Sequence, residues 1–277
     1  PQQKFTVENF RMFFEYFLSK GYNFISPEDL EKEEGLTKKN ILMTFDDGNF
    51  SNHLILPLLN EYKIPAIFFI PTTYTKTQKS FWVDVLYRNR IKQGVDESKM
   101  WEEIVFLKKS NHIEIEKYLI QNFGANSLKP IGDIDRPFNV AELKAFAKEK
   151  FVHVGNHTLD HASLPHYSED EIRIQISDNQ KDLFEITGIT PDCIAFPYGD
   201  YSDSVVRVTE ELGFKFAYTT VHKSNVLPLK ATEKGLKLVN RFTVSMQSDI
   251  LKRLDYLTSD YKIIDVYLKL RKNLTHR

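Results

Sequence analysis

Hydrophobic and polar positions along the chain follow two periods, and each period predicts a different kind of element. Apolar residues recur every three or four positions over 10–18, which predicts a helix that Gly21 is well placed to end. Short apolar runs at 41–45 and 66–70 flank a helical pattern at 54–62. Strand, helix and strand in that order predict a βαβ unit of a parallel sheet.

A charged segment between about residues 75 and 137 interrupts this alternation, and its pattern predicts a helical insertion. The alternation then resumes with strands predicted near 151–155, 193–196, 214–219 and 236–241. About six or seven β/α units in one chain favour an α/β fold, either a (β/α) barrel or a doubly wound sheet.

The sequence has no internal repeat, low-complexity tract or Gly/Ser linker. We therefore expect one domain over 1–277, with its motifs between about 41 and 241. Apolar residues over 261–270 predict C-terminal helices at about 247–272 that pack on the barrel. The same segment is compatible with a role in oligomerisation, so the oligomeric state stays open.

The amino-acid composition excludes several classes of binding partner and site. The 277 residues include 37 Lys and Arg against 38 Asp and Glu, a balance without the basic surface that nucleic acid requires. The single cysteine, Cys193, excludes an internal disulfide and a cysteine-rich zinc module. No apolar run reaches the roughly 20 residues of a membrane-spanning helix. Because the sequence begins at Pro1 without a methionine, both a cytoplasmic and an exported protein remain compatible with it.

Three polar clusters follow predicted strands, where parallel α/β folds place their working residues. The first is Asp46 and Asp47, followed by Gly48. Two adjacent carboxylates repel each other unless a cation or hydrogen-bond donors offset the repulsion. One interpretation is a divalent metal with one carboxylate as its ligand and the other as a base, and the alternative is a solvated turn.

The second cluster holds His157 and His161, which at i and i+4 would share one face of a helical turn and could bind one metal ion. Ordinary surface histidines are the alternative. Thr158 stands where the zinc-peptidase motif has glutamate, which argues against peptidase chemistry. The third cluster is a turn at Pro197 and Tyr198 that could present backbone N–H groups and an aromatic face to a ligand.

One aspartate and two histidines make a three-ligand set with an open position, which is typical of a catalytic metal site. The chain presents its three motifs in the order Thr44-Phe45-Asp46-Asp47-Gly48, His157-Thr158-x-x-His161 and Phe196-Pro197-Tyr198-Gly199. This set resembles the first three motifs of the polysaccharide deacetylases, the NodB-homology or carbohydrate esterase 4 group. The resemblance covers roughly 41–241 and implies a distorted (β/α)7 barrel.

The resemblance also implies a role for each residue of these motifs. Asp47, His157 and His161 would hold one divalent ion, zinc first, with cobalt, nickel or manganese also compatible with such a ligand set. Asp46 would be the base that deprotonates a metal-bound water, and the backbone N–H of Tyr198 would stabilise the oxyanion. The implied substrate is an N-acetylated glycan.

Two positions depart from the family pattern. Ala195 stands where many members carry an arginine that orients the base, as in the Phe-Ala-Tyr/Phe-Pro-Tyr-Gly branch that includes poly-N-acetylglucosamine deacetylases. The strand that matches the fifth motif ends at Arg241 and lacks the histidine that serves as general acid. Arg241 could orient Asp46 or stabilise negative charge, but it is not an efficient proton donor. His222, just past a predicted strand, is a hypothetical general acid.

Pro197, Tyr198 and Trp82 are the candidate substrate-contacting residues. Trp82 could stack on a sugar ring if the insertion folds over the barrel mouth, although a packing role fits the sequence equally well.

The leading hypothesis is a metal-dependent hydrolase that removes N-acetyl groups from amino sugars of a polysaccharide, an oligosaccharide or a surface-glycan precursor. A catalytically weak or inactive carbohydrate-binding relative is one alternative. The other is an O-acetyl esterase or a different C–N hydrolase that uses the same metal-water attack.

Overall fold

A computed structural model of the protein describes residues 5–32, 36–37 and 39–244. The helices are α1 (Val7–Ser19), α2 (Pro27–Lys32), α3 (Leu56–Tyr62), α4 (Thr72–Thr77), α5 (Trp82–Lys92), α6 (Glu97–Leu107), α7 (His112–Phe123), α8 (Val140–Phe146), α9 (Glu169–Thr187) and α10 (Asp203–Glu211). The strands are β1 (Asn23–Phe24), β2 (Asn40–Ile41), β3 (Met43–Phe45), β4 (Ala66–Ile70), β5 (Val152–Asn156), β6 (Cys193–Ala195), β7 (Phe216–Tyr218) and β8 (Lys237–Val239).

All the strand pairs are parallel and follow chain order. A six-stranded sheet runs from β3 to β8, and a separate ladder joins β1 to β2. Only Leu42 separates β2 from β3, so one stretch of chain pairs first with β1 and then with β4. This parallel sheet, curled into a half-barrel and connected by helices, confirms the predicted distorted (β/α) barrel.

Strand β4 illustrates how the sheet is buried on both of its faces. Its five residues, Ala-Ile-Phe-Phe-Ile, are all buried. Ala66, Phe68 and Ile70 belong to the apolar layer beneath α1, α3 and α8. Ile67 and Phe69 belong to the cluster inside the barrel, which also contains the buried Cys193. A continuous apolar run therefore forms a strand here because neither face of it meets water.

Side-chain caps fix where several helices begin. Ser26 accepts a hydrogen bond from the backbone N–H of Asp29, and the Asp29 carboxylate accepts one from the backbone N–H of Ser26. The same reciprocal pair joins Ser168 and Glu171 at the start of α9. In both pairs the serine is the N-cap residue and the acidic residue three positions later completes a capping box, so these residue types fix the helix starts.

The predicted helical insertion is confirmed. Helices α5, α6 and α7 share an apolar cluster of their own, to which α4 contributes Tyr74. Within that cluster Trp82, Leu86 and Leu119 are almost fully buried. The C-terminal helices predicted at about 247–272 lie outside the described residues. Of the helices in the described ranges, none is long and apolar enough to cross a bilayer.

Candidate metal centre and active site

The candidate site residues lie at the carboxyl ends of neighbouring strands. Asp46 and Asp47 follow β3, and His157 follows β5. The turn that contains Tyr198 follows β6, and Arg241 comes two residues after β8. Because parallel strands end at one edge of a sheet, residues from distant parts of the sequence meet there.

Left-handed backbone is concentrated in these loops. Six described residues other than glycine have a positive φ, and four of them belong to the three motifs. They are Asp47 (φ 72°), Thr158 (61°), His161 (63°) and Tyr198 (60°). Such conformations cost free energy in residues with a Cβ and persist only where surrounding contacts enforce them.

The loop after β5 shows those contacts. The Asn156 side chain accepts hydrogen bonds from the backbone N–H of Thr158 (2.9 Å) and from the Asn179 side chain of α9 (3.0 Å). Thr158 Oγ1 accepts from the backbone N–H of Ala162 at 3.0 Å. The prediction that His157 and His161 share a helical turn is therefore wrong, because this segment is a loop held by side-chain to backbone bonds.

The two histidines nevertheless meet. Their ring centroids are 4.7 Å apart, with the planes at 77°. Asp47 Oδ1 lies 3.5 Å from His157 Nε2 and 3.2 Å from His161 Nε2. Both histidines are buried, at 1% and 7% exposure respectively. The structure thus brings all three predicted metal ligands together.

These residues fit a divalent ion. Asp47 Oδ1 and His157 Nε2 are buried without a hydrogen-bond partner among the described residues. One ligand atom from each of the three residues lies within 4.8 Å of the others. Ligand atoms about 2.0–2.2 Å from a tetrahedral zinc ion lie roughly 3.3 Å apart, close to the separations between Asp47 and the histidines. The three residues could therefore hold a metal ion, and they leave a coordination position free for water or substrate.

Hydrogen bonding and charge prepare the ligands for that role. His157 Nδ1 lies 2.8 Å from the Ala195 carbonyl, a contact that requires the proton on Nδ1 and leaves Nε2 to face Asp47. Burial opposes ionisation of Asp47, but the two histidines outweigh it and lower the pKa of that carboxyl. For His161, burial is the largest influence and lowers the pKa. An ionised carboxylate and a neutral imidazole are the forms that bind metal.

Asp46 has a guanidinium partner, Arg241, which comes two residues after β8. Arg241 donates two parallel hydrogen bonds to Asp46, at 2.8 Å to Oδ1 and 3.0 Å to Oδ2. It also donates to the Thr219 carbonyl (3.0 Å) and to Thr44 Oγ1 (3.2 Å). Burial opposes ionisation of Asp46, but the charges of Arg241 and His157 together with the Arg241 hydrogen bonds outweigh it and lower the pKa of the carboxyl. The bidentate pair holds Asp46 ionised and fixes its orientation.

The turn after β6 sets Tyr198 against the triad. A Cβ on Gly199 would lie 1.9 Å from Thr220 Oγ1, so only glycine fits behind the turn. The Tyr198 ring meets the His161 ring edge-on, with centroids 4.6 Å apart. Among the backbone bonds of the described residues, Gly199 and Asp200 donate within the turn while Tyr198 N–H donates to none. Pro197 is buried beneath this turn.

Trp82 does not present the sugar-stacking face that was one prediction from the sequence. Its side chain is only 2% exposed, and its indole N–H donates to Tyr198 Oη at 3.1 Å. The side chain packs in the apolar cluster of the insertion, so that prediction is wrong and the packing alternative describes Trp82. Trp82 contacts the candidate site through Tyr198.

His222 lies on the exposed loop after β7. Its Nε2 accepts a hydrogen bond from the backbone N–H of Thr243 at 3.4 Å, and its ring centroid lies 5.9 Å from that of Phe242. These two contacts are with the residues one and two positions after Arg241. Its role as general acid stays a prediction.

An ion pair between the insertion and the turn at Tyr198 was not predicted from the sequence. Lys108 follows the last residue of α6, and its ammonium donates to Asp200 at 2.6 Å and lies 5.2 Å from the centroid of the Tyr198 ring. Ser163 also donates to Asp200, at 2.8 Å. The contact joins residues 92 positions apart, so no local motif could reveal it.

A family model described as polysaccharide deacetylase matches residues 33–217. Among curated proteins, a peptidoglycan-N-acetylglucosamine deacetylase from Bacillus cereus is 33% identical over 79 residues. That alignment covers 28% of this chain and 28% of the relative, so the match spans little more than a quarter of either protein.

Solved structures share the fold. A deacetylase from Streptococcus pyogenes, PplD, in complex with acetate, matches with a TM-score of 0.57 at 18% identity, over 89% of this chain and 84% of that one. IcaB from Ammonifex degensii matches with a TM-score of 0.56 at 17% identity, over 92% and 90% of the two chains. At these identities the likeness shows the fold alone.

Proposed function

The chain belongs to the polysaccharide deacetylase family of hydrolases, and from that premise we propose that it is a metal-dependent deacetylase of N-acetylated amino sugars. The bidentate bond from Arg241 to Asp46, beside the cluster of Asp47, His157 and His161, is the observation that carries the proposal. A carboxylate held in a fixed orientation beside three convergent side chains that could bind a metal supports this proposal.

Asp47, His157 and His161 would hold one divalent ion, with zinc the first candidate because two imidazoles and a carboxylate suit it. A bound ion supplies Lewis acidity, which polarises an amide carbonyl and acidifies water. The protein contributes the ligand orientation. The His157 contact with the Ala195 carbonyl sets the tautomer, and the left-handed backbone at Asp47 and His161 directs both side chains inward.

Asp46 would accept the proton of the attacking water. A base must be ionised and held in position, and both conditions follow from the two bonds that Arg241 donates. Arg241 is thus a positioning residue, with its guanidinium further fixed by the Thr219 carbonyl. Arg241, which follows β8, would thus orient Asp46 in the way that an arginine at position 195, at the end of β6, would.

Attack by water at the acetamide carbonyl places negative charge on the carbonyl oxygen. The Tyr198 N–H, which has no acceptor within the described residues, would donate to that oxygen. The C–N bond then breaks, the nitrogen takes a proton, and the products are acetate and a free amine. His222 is our candidate for the proton donor.

Acetate release from N-acetylglucosamine oligomers, measured with zinc-loaded protein, tests the proposal. We expect turnover that falls by about 10²–10⁴-fold in Asp46→Asn, because the amide cannot accept a proton. Asp178→Asn, on the exposed side of α9, is the matched control and should keep full activity. Equal turnover in Asp46→Asn and wild type would contradict the proposal, as would release from O-acetylated but not N-acetylated sugars.

A further inference from the structure

The two tryptophans of the chain lie in the insertion but in opposite environments. Trp82 is 2% exposed, whereas Trp101, on α6, is 63% exposed. Scattered exposed apolar residues are normal on a protein surface, so exposure alone assigns no role to Trp101. Its position on α6 relative to the cleft distinguishes it.

Trp101 shares one side of α6 with the residue that touches the active-site turn. Residues three or four apart on a helix are neighbours on its surface, so Trp101, Val105 and Lys108 form one stripe. Val105 is partly exposed, and Lys108 at the end of the stripe contacts Asp200 and lies against the Tyr198 ring. The stripe therefore begins at the candidate active site and leads away from it along α6.

The other exposed aromatic residue of α6 lies on a different side. Phe106 is 69% exposed, but five positions from Trp101 correspond to a rotation of about 140° around the helix axis. Phe106 therefore does not continue the stripe. It offers a comparison of similar size, aromatic character and exposure on the same helix.

The length of the stripe indicates which part of a glycan could bind over it. Seven residues of α-helix, from Trp101 to Lys108, span about 10 Å. The Lys108 ammonium lies a further 5.2 Å from the centroid of the Tyr198 ring, which in turn meets His161. A sugar whose acetamide reaches the triad would therefore leave Trp101 to another sugar of the same chain. The indole offers a broad flat apolar face, which complements the C–H face of a pyranose.

We propose that Trp101 forms a stacking subsite for another sugar unit of the glycan, away from the one that is deacetylated. This inference rests on the proposed function and deepens it, because it makes an oligomeric or polymeric glycan the preferred substrate. The subsite adds binding energy without touching the reacting atoms. Trp101 is thus a specificity-determining residue for glycan length.

The test is a chain-length series. kcat/KM for acetate release is measured on N-acetylglucosamine and its oligomers up to the hexamer, for wild type, Trp101→Ala and Phe106→Ala. We expect Trp101→Ala to lose about tenfold on the longer oligomers and nothing on the monosaccharide. Phe106→Ala should follow wild type throughout. A loss that is equal at every length, or equal in both variants, would overturn the subsite.

A binding measurement separates failure of the subsite from failure of the proposed function. Acrylamide quenches the emission of exposed tryptophan, so the hexamer should protect Trp101 in wild type, while Trp101→Phe should show no saccharide-dependent change. Protection without acetate release from any oligomer would support the subsite and contradict the deacetylase. Acetate release with no protection of Trp101 and no dependence on oligomer length would support the deacetylase and contradict the subsite.

Discussion

The strand-end loops and the helical insertion meet at the same cleft, yet their side chains are held in different ways. In the loops, Asp46, Asp47 and the two histidines are fixed by hydrogen bonds and by left-handed backbone. In the insertion, apolar packing buries Trp82 and its neighbours, and few polar contacts reach the site. The difference indicates that the barrel fixes the reacting groups and that the insertion shapes the space around them.

Contacts near the site connect the two regions. The Phe81 ring meets the His161 ring edge-on with centroids 4.7 Å apart, the Trp82 indole donates to Tyr198, and Lys108 pairs with Asp200. Each contact reaches a motif residue or its neighbour, but none donates a hydrogen bond to Asp46 or Asp47. We therefore expect changes in the insertion to act on substrate binding more than on the chemical step.

The largest effect on activity should come from a change in the strand-end loops of the barrel. Arg241→Ala leaves Asp46 without its bidentate partner, so we expect kcat for acetate release to fall about 100-fold. Arg241→Lys keeps the positive charge but cannot donate two parallel hydrogen bonds, so its kcat should lie between those of wild type and Arg241→Ala. Zinc affinity serves as the control and should change little. Unchanged kcat in Arg241→Ala would exclude a positioning role.

A smaller effect on activity is expected from a substitution in the insertion where it contacts the site. Lys108→Met keeps much of the aliphatic stem but removes the ion pair with Asp200, which is partly exposed and therefore of modest strength. We expect a few-fold rise in KM with kcat nearly unchanged. A fall in kcat as large as that of Arg241→Ala would break the proposed division between the two regions.

The smallest effect concerns stability and its dependence on pH. Burial raises the pKa of Asp84, on α5, to about 6 from a usual value of 3.8. A raised folded-state pKa means that stability is lost as pH rises through about 6, because the folded protein resists ionisation that the unfolded chain permits. Asp84→Asn should therefore be more stable than wild type at about pH 8, on the order of 1–2 kcal/mol, and equal to it below about pH 4.

Urea unfolding at both pH values measures the Asp84 effect, and acetate release provides its control. Acetate release should be the same in Asp84→Asn and wild type. A large fall in kcat would instead bring Asp84 into the chemistry and contradict the assignment of reacting groups to the barrel alone.

Much of the barrel could be predicted because its signals are local. Buried parallel strands appear as short apolar runs, and the caps at Ser26 and Ser168 mark helix starts by their residue types. The candidate metal ligands were also predictable, since they follow predicted strands and match a known motif set. From the sequence, Arg241 could either orient Asp46 or stabilise negative charge. Its hydrogen bonds to Asp46, which lies 195 positions away along the chain, support the first role.

Other features depend on tertiary contacts that no local pattern encodes. The i, i+4 spacing of His157 and His161 suits a helix, but Asn156 and Asn179 hold the segment as a loop. Whether a tryptophan of the insertion faces solvent depends on how three helices pack, so Trp82 and Trp101 could not be told apart.

The proposed function requires that Asp47, His157 and His161 bind one catalytic metal ion. Calorimetric titration of zinc into chelator-treated protein tests this requirement most directly, with wild type and His161→Ala compared under the same conditions. We expect one site per chain in wild type and a loss of at least about 100-fold in affinity in the variant. No binding in wild type, or binding that His161→Ala leaves unchanged, would contradict it.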